Sequence, residues 1–284
     1  MSHPADHGAP APPSVSHSRY YLDECFVVET MLVQGKVRET AASGALIGKG
    51  NHQHFMLKEI HEQPTVIGDT LQSYLDPATR SVSLPALPFD WNKVSRVTIT
   101  GCGTACYAGM IAKYWFEKLA RLAVEVDVAS EMRYREPPLP DGGVCIAVSQ
   151  SGETVDTLEA LRYAQSQKQT LLSVVNVPES AIARLSDVVL PTLAGPEIGV
   201  ASTKAFTCQL AVLAALAAHM AVKKGLMNRA QEAEVVAHLL EAPALVAEVP
   251  VLMGIDYPAS ADCAEPCTVL VLPRPALQQA FHRD

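Results

Sequence analysis

Between residues 94 and 224, brief apolar runs alternate with amphipathic stretches of helical period. Residues 94–100, 123–128, 144–148, 170–175 and 188–190 are rich in Val, Ile and Leu and too short for helices, so each predicts a buried strand. Residues 106–119, 155–167 and 203–224 predict helices. Residues 131–134 and 180–185 predict helical turns, and 137–143, with its Pro and Gly, a reverse turn. Strands that alternate with helices imply a parallel sheet covered on both faces. The expected fold class is therefore α/β, a three-layer α-β-α domain with a five-stranded parallel sheet of flavodoxin-like order 2-1-3-4-5.

The flanks lack this regularity. Residues 1–47 read as a disordered or irregular N-terminal segment: 1–19 carry Pro, His, Ser and Ala without period, while 20–34 could hold a strand that has no evident partner. Residues 48–90 form a helical lead-in, with Phe55, Leu57 and Ile60 followed by Val66, Ile67 and Leu71. This spacing predicts helices interrupted by Pro64, and residues 81–88 a Pro-punctuated connection. The regular domain spans 91–228. Residues 229–284 read as a helix and an atypical C-terminal tail, in which Pro250, Pro258, Pro266, Pro273 and Pro275 interrupt every candidate helix; 267–277 could form a strand.

Composition narrows the function classes. The chain has 284 residues, 49% hydrophobic and 18% charged, enough for one good core. A net charge of -8 argues against a nucleic-acid partner, because phosphate backbones are held by clustered Lys and Arg. The apolar stretch 210–222 is broken by His219 and ends at Lys223, short of the roughly 20 residues of a membrane span, so a buried helix is expected and no membrane partner. Seven scattered cysteines without a secretory signal suit reduced thiols in the cytoplasm.

Two polar loops carry the candidate chemistry. Gly101-Cys-Gly-Thr104 follows the first strand of the alternation and Ser149-Gln-Ser-Gly-Glu-Thr154 the third. In the expected order these strands are neighbours, their helices leave on opposite faces, and a crevice opens between the loops. Free amides at helix starts, together with hydroxyls, can hold a phosphate monoester without a cation. Each neutral bond adds only about 1 kcal/mol, so several must converge. Thr104, Ser149, Gln150, Ser151 and Thr154 offer that number, provided Glu153 points away. The alternative is that these residues cap helices and form turns, as at any strand-to-helix junction. A third polar segment, 195–204, looks long and flexible enough to fold over the crevice. Ser202 either contacts ligand or caps the last helix, and Lys204 reads as a surface or salt-bridged lysine.

Here the wording resembles a known family. "CGTA", "SQSGETVDTL" and "AGPEIGVASTKAFTCQL", preceded by "HFMLKEIHEQP", resemble the isomerase half of the glutamine–fructose-6-phosphate aminotransferases, which make glucosamine 6-phosphate. The resemblance runs from about Gly48 to about Met227 and covers the first of that family's two sugar isomerase (SIS) domains. It implies a SIS fold, a hexose 6-phosphate ligand and amino-sugar biosynthesis. It also implies that Thr104, Ser149, Gln150, Ser151 and Thr154 contact the sugar phosphate, and that Val200 and Ser202 line the sugar. Where the family motif often reads Cys-Gly-Thr-Ser, this chain has Ala105, so one hydroxyl contact is missing.

The family's glutaminase cysteine, isomerisation base, ring-opening histidine and Schiff-base lysine find no counterpart here; Cys25 reads as structural. No catalytic residue is assigned. Isomerisation needs a base between C1 and C2; Glu131, Glu153 and Glu197 are the carboxylates near the crevice, two of them more simply read as helix-terminal or turn residues, and none is taken as that base. No cofactor or metal is called: His52 and His54 with His61, and Cys263 with Cys267, lack convincing ligand spacing. The expectation is a sugar-phosphate-binding fragment without the glutaminase and second SIS domains. Its missing contacts would expose apolar surface, and self-association or a partner bearing the missing domain could complete it. Two alternatives stay open: a SIS regulatory module sensing sugar phosphate, and an amino-sugar-phosphate deaminase or isomerase completed by a partner chain.

Overall fold

The computed structural model describes residues 48–252 and four short strands that precede them. Those strands are β1 (Tyr20–Asp23), β2 (Val27–Val28), β3 (Met31–Leu32) and β4 (Lys36–Glu39). They lie in a unit separate from the one formed by residues 51–284. β1 pairs antiparallel with β4 and β2 with β3, so the strand expected within 20–34 does find a partner, just beyond that window. Expectations for residues 1–19, Cys25 and 253–284 lie outside the described residues.

The second unit opens with α1 (Phe55–Gln72), followed by the hairpin of β5 (Leu75–Asp76) and β6 (Ser81–Val82). α1 is one helix, where the sequence suggested two separated by Pro64. Proline has no N–H for the carbonyl four residues back, which is that of Ile60. The neighbouring Gln63 fills the gap, its Nε2 donating to Ile60 O at 3.2 Å. A side-chain amide thus replaces the lost backbone bond, and the helix continues.

The alternation then unfolds as expected: β7 (Val97–Gly101), α2 (Thr104–Leu119), β8 (Val124–Val128), α3 (Ala129–Arg135), β9 (Val144–Ser149), α4 (Val155–Ser166), β10 (Thr170–Val175), α5 (Ala181–Leu185), β11 (Val188–Pro191), α6 (Lys204–Lys223) and α7 (Arg229–Leu252). The five strands β7 to β11 form one parallel sheet in the order β11-β10-β9-β7-β8. Every residue of β9 is buried, because its side chains alternate between two covered faces. Val144, Ile146 and Val148 face the core shared with α2 and α6; Cys145 and Ala147 face the one shared with α4 and α5.

α6 is the central helix, packed against α1, α2 and α7. It runs 20 residues, within the helix expected over 203–224, and by length and composition alone it could cross a membrane. Here 67% of its most apolar window is buried inside the protein. α7 also runs further than expected, passing through Pro243 and Pro250 to Leu252. One apolar face stays uncovered among the described residues: Tyr107, Met110, Ile111 and Tyr114, spaced at one helical turn along α2, are 39 to 72% exposed.

Candidate functional site

β7 and β9 are adjacent, and the helices that follow them leave on opposite faces of the sheet. The strand ends approach closely at this switch point: a Cβ on Gly101 would stand 2.8 Å from the carbonyl oxygen of Val148. Beyond them lies a cavity of about 150 Å³ lined by Cys102, Thr104, Ala105, Val148, Ser149, Gln150, Ser151, Thr154, Ser202 and Gln209. Six of the seven residues singled out from the sequence therefore share one wall. Val200 does not: its side chain stands fully exposed at the tip of its loop.

The Ser149 loop is a turn closed by its own hydrogen bonds. Ser149 Oγ accepts from the Gly152 amide at 3.0 Å and lies 3.3 Å from Thr154 Oγ1, while Ser151 Oγ accepts from the Glu153 amide at 3.1 Å. A hydroxyl that accepts from backbone keeps its proton to donate elsewhere. Gly152 holds φ +67°, and a Cβ there would strike Ser180 Oγ at 1.9 Å, so both conformation and space require glycine. Glu153 turns away from the cavity, its Oε1 accepting from Ala181 N at 2.8 Å at the start of α5.

Side-chain capping differs from helix to helix. α5 is capped by its own Ser180, which accepts from Ala183 N. Neither Gly103 before α2 nor Thr154 before α4 makes a side-chain capping bond. The first amides of those two helices have no carbonyl one turn back, and the helix dipoles add partial positive charge at the same ends. No acidic, basic or imidazole side chain lines the cavity. It is a neutral, donor-rich wall.

The third loop is held by several hydrogen bonds. Asn176 Oδ1 accepts from Thr192 Oγ1 and Ala194 N, both at 3.0 Å, and its Nδ2 donates to Gly195 O at 2.8 Å. Leu193 N donates to Thr70 Oγ1 on α1. Glu59, also on α1 and 1% exposed, accepts from the amides of Ile198 and Gly199. A Cβ on Gly199 would meet Glu59 Oε2 at 2.4 Å. Glu197 caps α6, accepting from Thr203 N at 2.8 Å, Ala205 N at 3.2 Å and Ser202 Oγ at 2.9 Å. Ser202 therefore reaches the cavity wall without being the cap, and the Glu197 carboxylate is fully engaged. Lys204 is buried, not on the surface, with its Nζ 2.7 Å from Glu62 Oε2. Glu131 is exposed in the first turn of α3.

Glu59, Glu62, Asn176 and Gln209 escaped the sequence reading. The spacing of Glu59 and Glu62 puts both on one face of α1, but their partners lie some 140 residues away. His52 and His61 do meet, as rings stacked at 5.3 Å, and burial followed by the charge of His52 lowers the His61 pKa. No cluster of three metal-ligating side chains occurs among the described residues.

Comparison with known proteins agrees with this fold. Residues 92–219 match the SIS domain family. The glutamine–fructose-6-phosphate aminotransferase of Bradyrhizobium diazoefficiens is 59% identical over 217 residues, which is 76% of this chain and 36% of that protein. The Zymomonas mobilis enzyme of the same name is 56% identical over the same shares. The solved C-terminal domain of glucosamine-fructose-6-phosphate aminotransferase from Francisella tularensis superposes with a TM-score of 0.69 at 40% identity, covering 73% of this chain and 58% of that one. The chain thus spans little more than a third of the length of these curated relatives. It carries a SIS domain homologous to that of the glutamine–fructose-6-phosphate aminotransferases.

Proposed function

We propose that the cavity at the switch point binds a hexose 6-phosphate, fructose 6-phosphate or glucosamine 6-phosphate, as the sugar-phosphate module of an aminotransferase of amino-sugar biosynthesis in the cytoplasm. The observation that carries this reading is the pair of helix starts, α2 and α4, left without side-chain caps around one neutral cavity. Thr104, Ser149, Ser151 and Thr154 would give their hydroxyl protons to the phosphate oxygens and Gln150 its amide. Ser202, on the loop before α6, would meet the sugar. A dianion is then held by many neutral bonds and two helix dipoles.

Enolisation needs a base at the sugar carbons, and the cavity wall has no carboxylate or imidazole to supply one. Binding without turnover is the expected behaviour of this chain alone. The exposed α2 face supports self-association or a partner domain as the way a full site is assembled. Calorimetric titration beside a coupled synthesis assay tests the reading. The expected result is saturable binding of fructose 6-phosphate and glucosamine 6-phosphate, none of unphosphorylated fructose, and no glucosamine 6-phosphate formed from fructose 6-phosphate and an ammonia source. Equal binding of free fructose, or robust synthesis, contradicts it.

A further inference from the structure

One polar side chain in the cavity wall has no role in the phosphate cradle. Gln209 sits on α6 among Ala205, Cys208, Val212 and Leu213, all buried, and is itself 2% exposed. Its Oε1 has no hydrogen-bond partner. A buried carbonyl left without a donor destabilises the folded state, and a leucine of similar volume would pack in the same apolar surroundings without that penalty. Gln209 nevertheless borders the same cavity as Ser149 and Thr154. Ala105, on the facing helix α2, borders it too and has no hydroxyl to offer the amide.

Building on the proposed function, we infer that Gln209 is a specificity-determining contact that recognises a donor group on the sugar rather than the phosphate. The chemistry fixes which part of the ligand this unpartnered oxygen can meet. A carbonyl oxygen only accepts, so it repels a phosphate dianion and is satisfied by an O–H of the hexose or the ammonium of an amino sugar. The site then reads a hexose phosphate at two ends: donors at the helix starts take the ester, and an acceptor on α6 takes the polyol. Inorganic phosphate engages the first end only.

The test compares Gln209→Leu and, as a second variant that packs differently, Gln209→Met with the unaltered chain. Each is titrated with fructose 6-phosphate and with inorganic phosphate, and each is melted without ligand. Loss of one bond to a neutral group predicts fructose 6-phosphate binding weakened by about 2- to 12-fold, unchanged inorganic phosphate binding, and a melting temperature equal to or above that of the unaltered chain. A purely structural glutamine would lower the melting temperature and weaken both ligands together, which overturns the inference. So does unchanged fructose 6-phosphate affinity in both variants while the unaltered chain binds it. If the unaltered chain binds no hexose phosphate at all, the proposed function fails and this inference with it.

Discussion

Glu59 shows how a single side chain can set a loop that the sequence leaves undefined. It accepts from two consecutive amides of the loop after β11 while 1% exposed. Replacing it with alanine strands those amides, and an unsatisfied buried donor costs about 1–3 kcal/mol. Glu59→Ala is therefore expected to lose about 2–4 kcal/mol in denaturant unfolding and to weaken ligand binding through the misplaced Ser202. A loss below about 0.5 kcal/mol, the usual range for a surface change, would show that the loop holds itself. Glu59 was unreadable as an anchor because its sequence context, an amphipathic helix with a basic neighbour, is that of any solvated glutamate. The hydroxyls of the Ser149 loop were readable because they cluster where a strand must end. Burial also acts at this scale on two thiols: it pushes Cys145 up to about 12 and Cys208 to about 11, so both stay protonated at neutral pH.

Among the elements, the strands were legible because a sheet covered on both faces demands continuous apolar runs, as in β9 and β10. α1 was not, because the bond that carries it past Pro64 comes from a side chain, Gln63, rather than from backbone. α6 holds a second consequence of burial. His219, near its C-terminal end, borders a separate cavity of about 350 Å³ with Trp91 and Lys223. Burial, reinforced by the charge of Lys223 and opposed by Glu232, lowers its pKa to about 4 from 6.5. The unfolded chain takes up this proton at a higher pH than the folded one, so acid favours unfolding. Stability is expected to fall as pH drops from about 6.5 towards about 4. In thermal melts across that window, His219→Gln should show a shallower decline than the unaltered chain. Parallel declines would mean that His219 protonates freely in the folded state.

For the molecule as a whole, strand order did more than any motif. The order β11-β10-β9-β7-β8 brings the ends of β7 and β9 together, and with them two loops that lie about 45 residues apart in sequence. That arrangement was legible because alternation of strand and helix leaves few topologies. The position of Val200 was not, since a loop tip is set by clamps from α1 and from Asn176, just after β10, that no local pattern reveals. Nor was Gln209, which on sequence is one polar residue in a long apolar helix. The fold thus gathers polar groups from α2, the Ser149 loop, the Ser202 loop and α6 around one small cavity without any ionised side chain in its wall.

Replacing Ser149, Ser151 and Thr154 together with alanine, and titrating that variant with fructose 6-phosphate after circular dichroism confirms its fold, probes this arrangement most directly. Loss of three neutral donors predicts affinity weaker by about a hundredfold or more, with the far-ultraviolet spectrum of the unaltered chain retained. An unchanged dissociation constant in a folded variant would contradict the account, for the phosphate would then be held somewhere other than between the ends of β7 and β9.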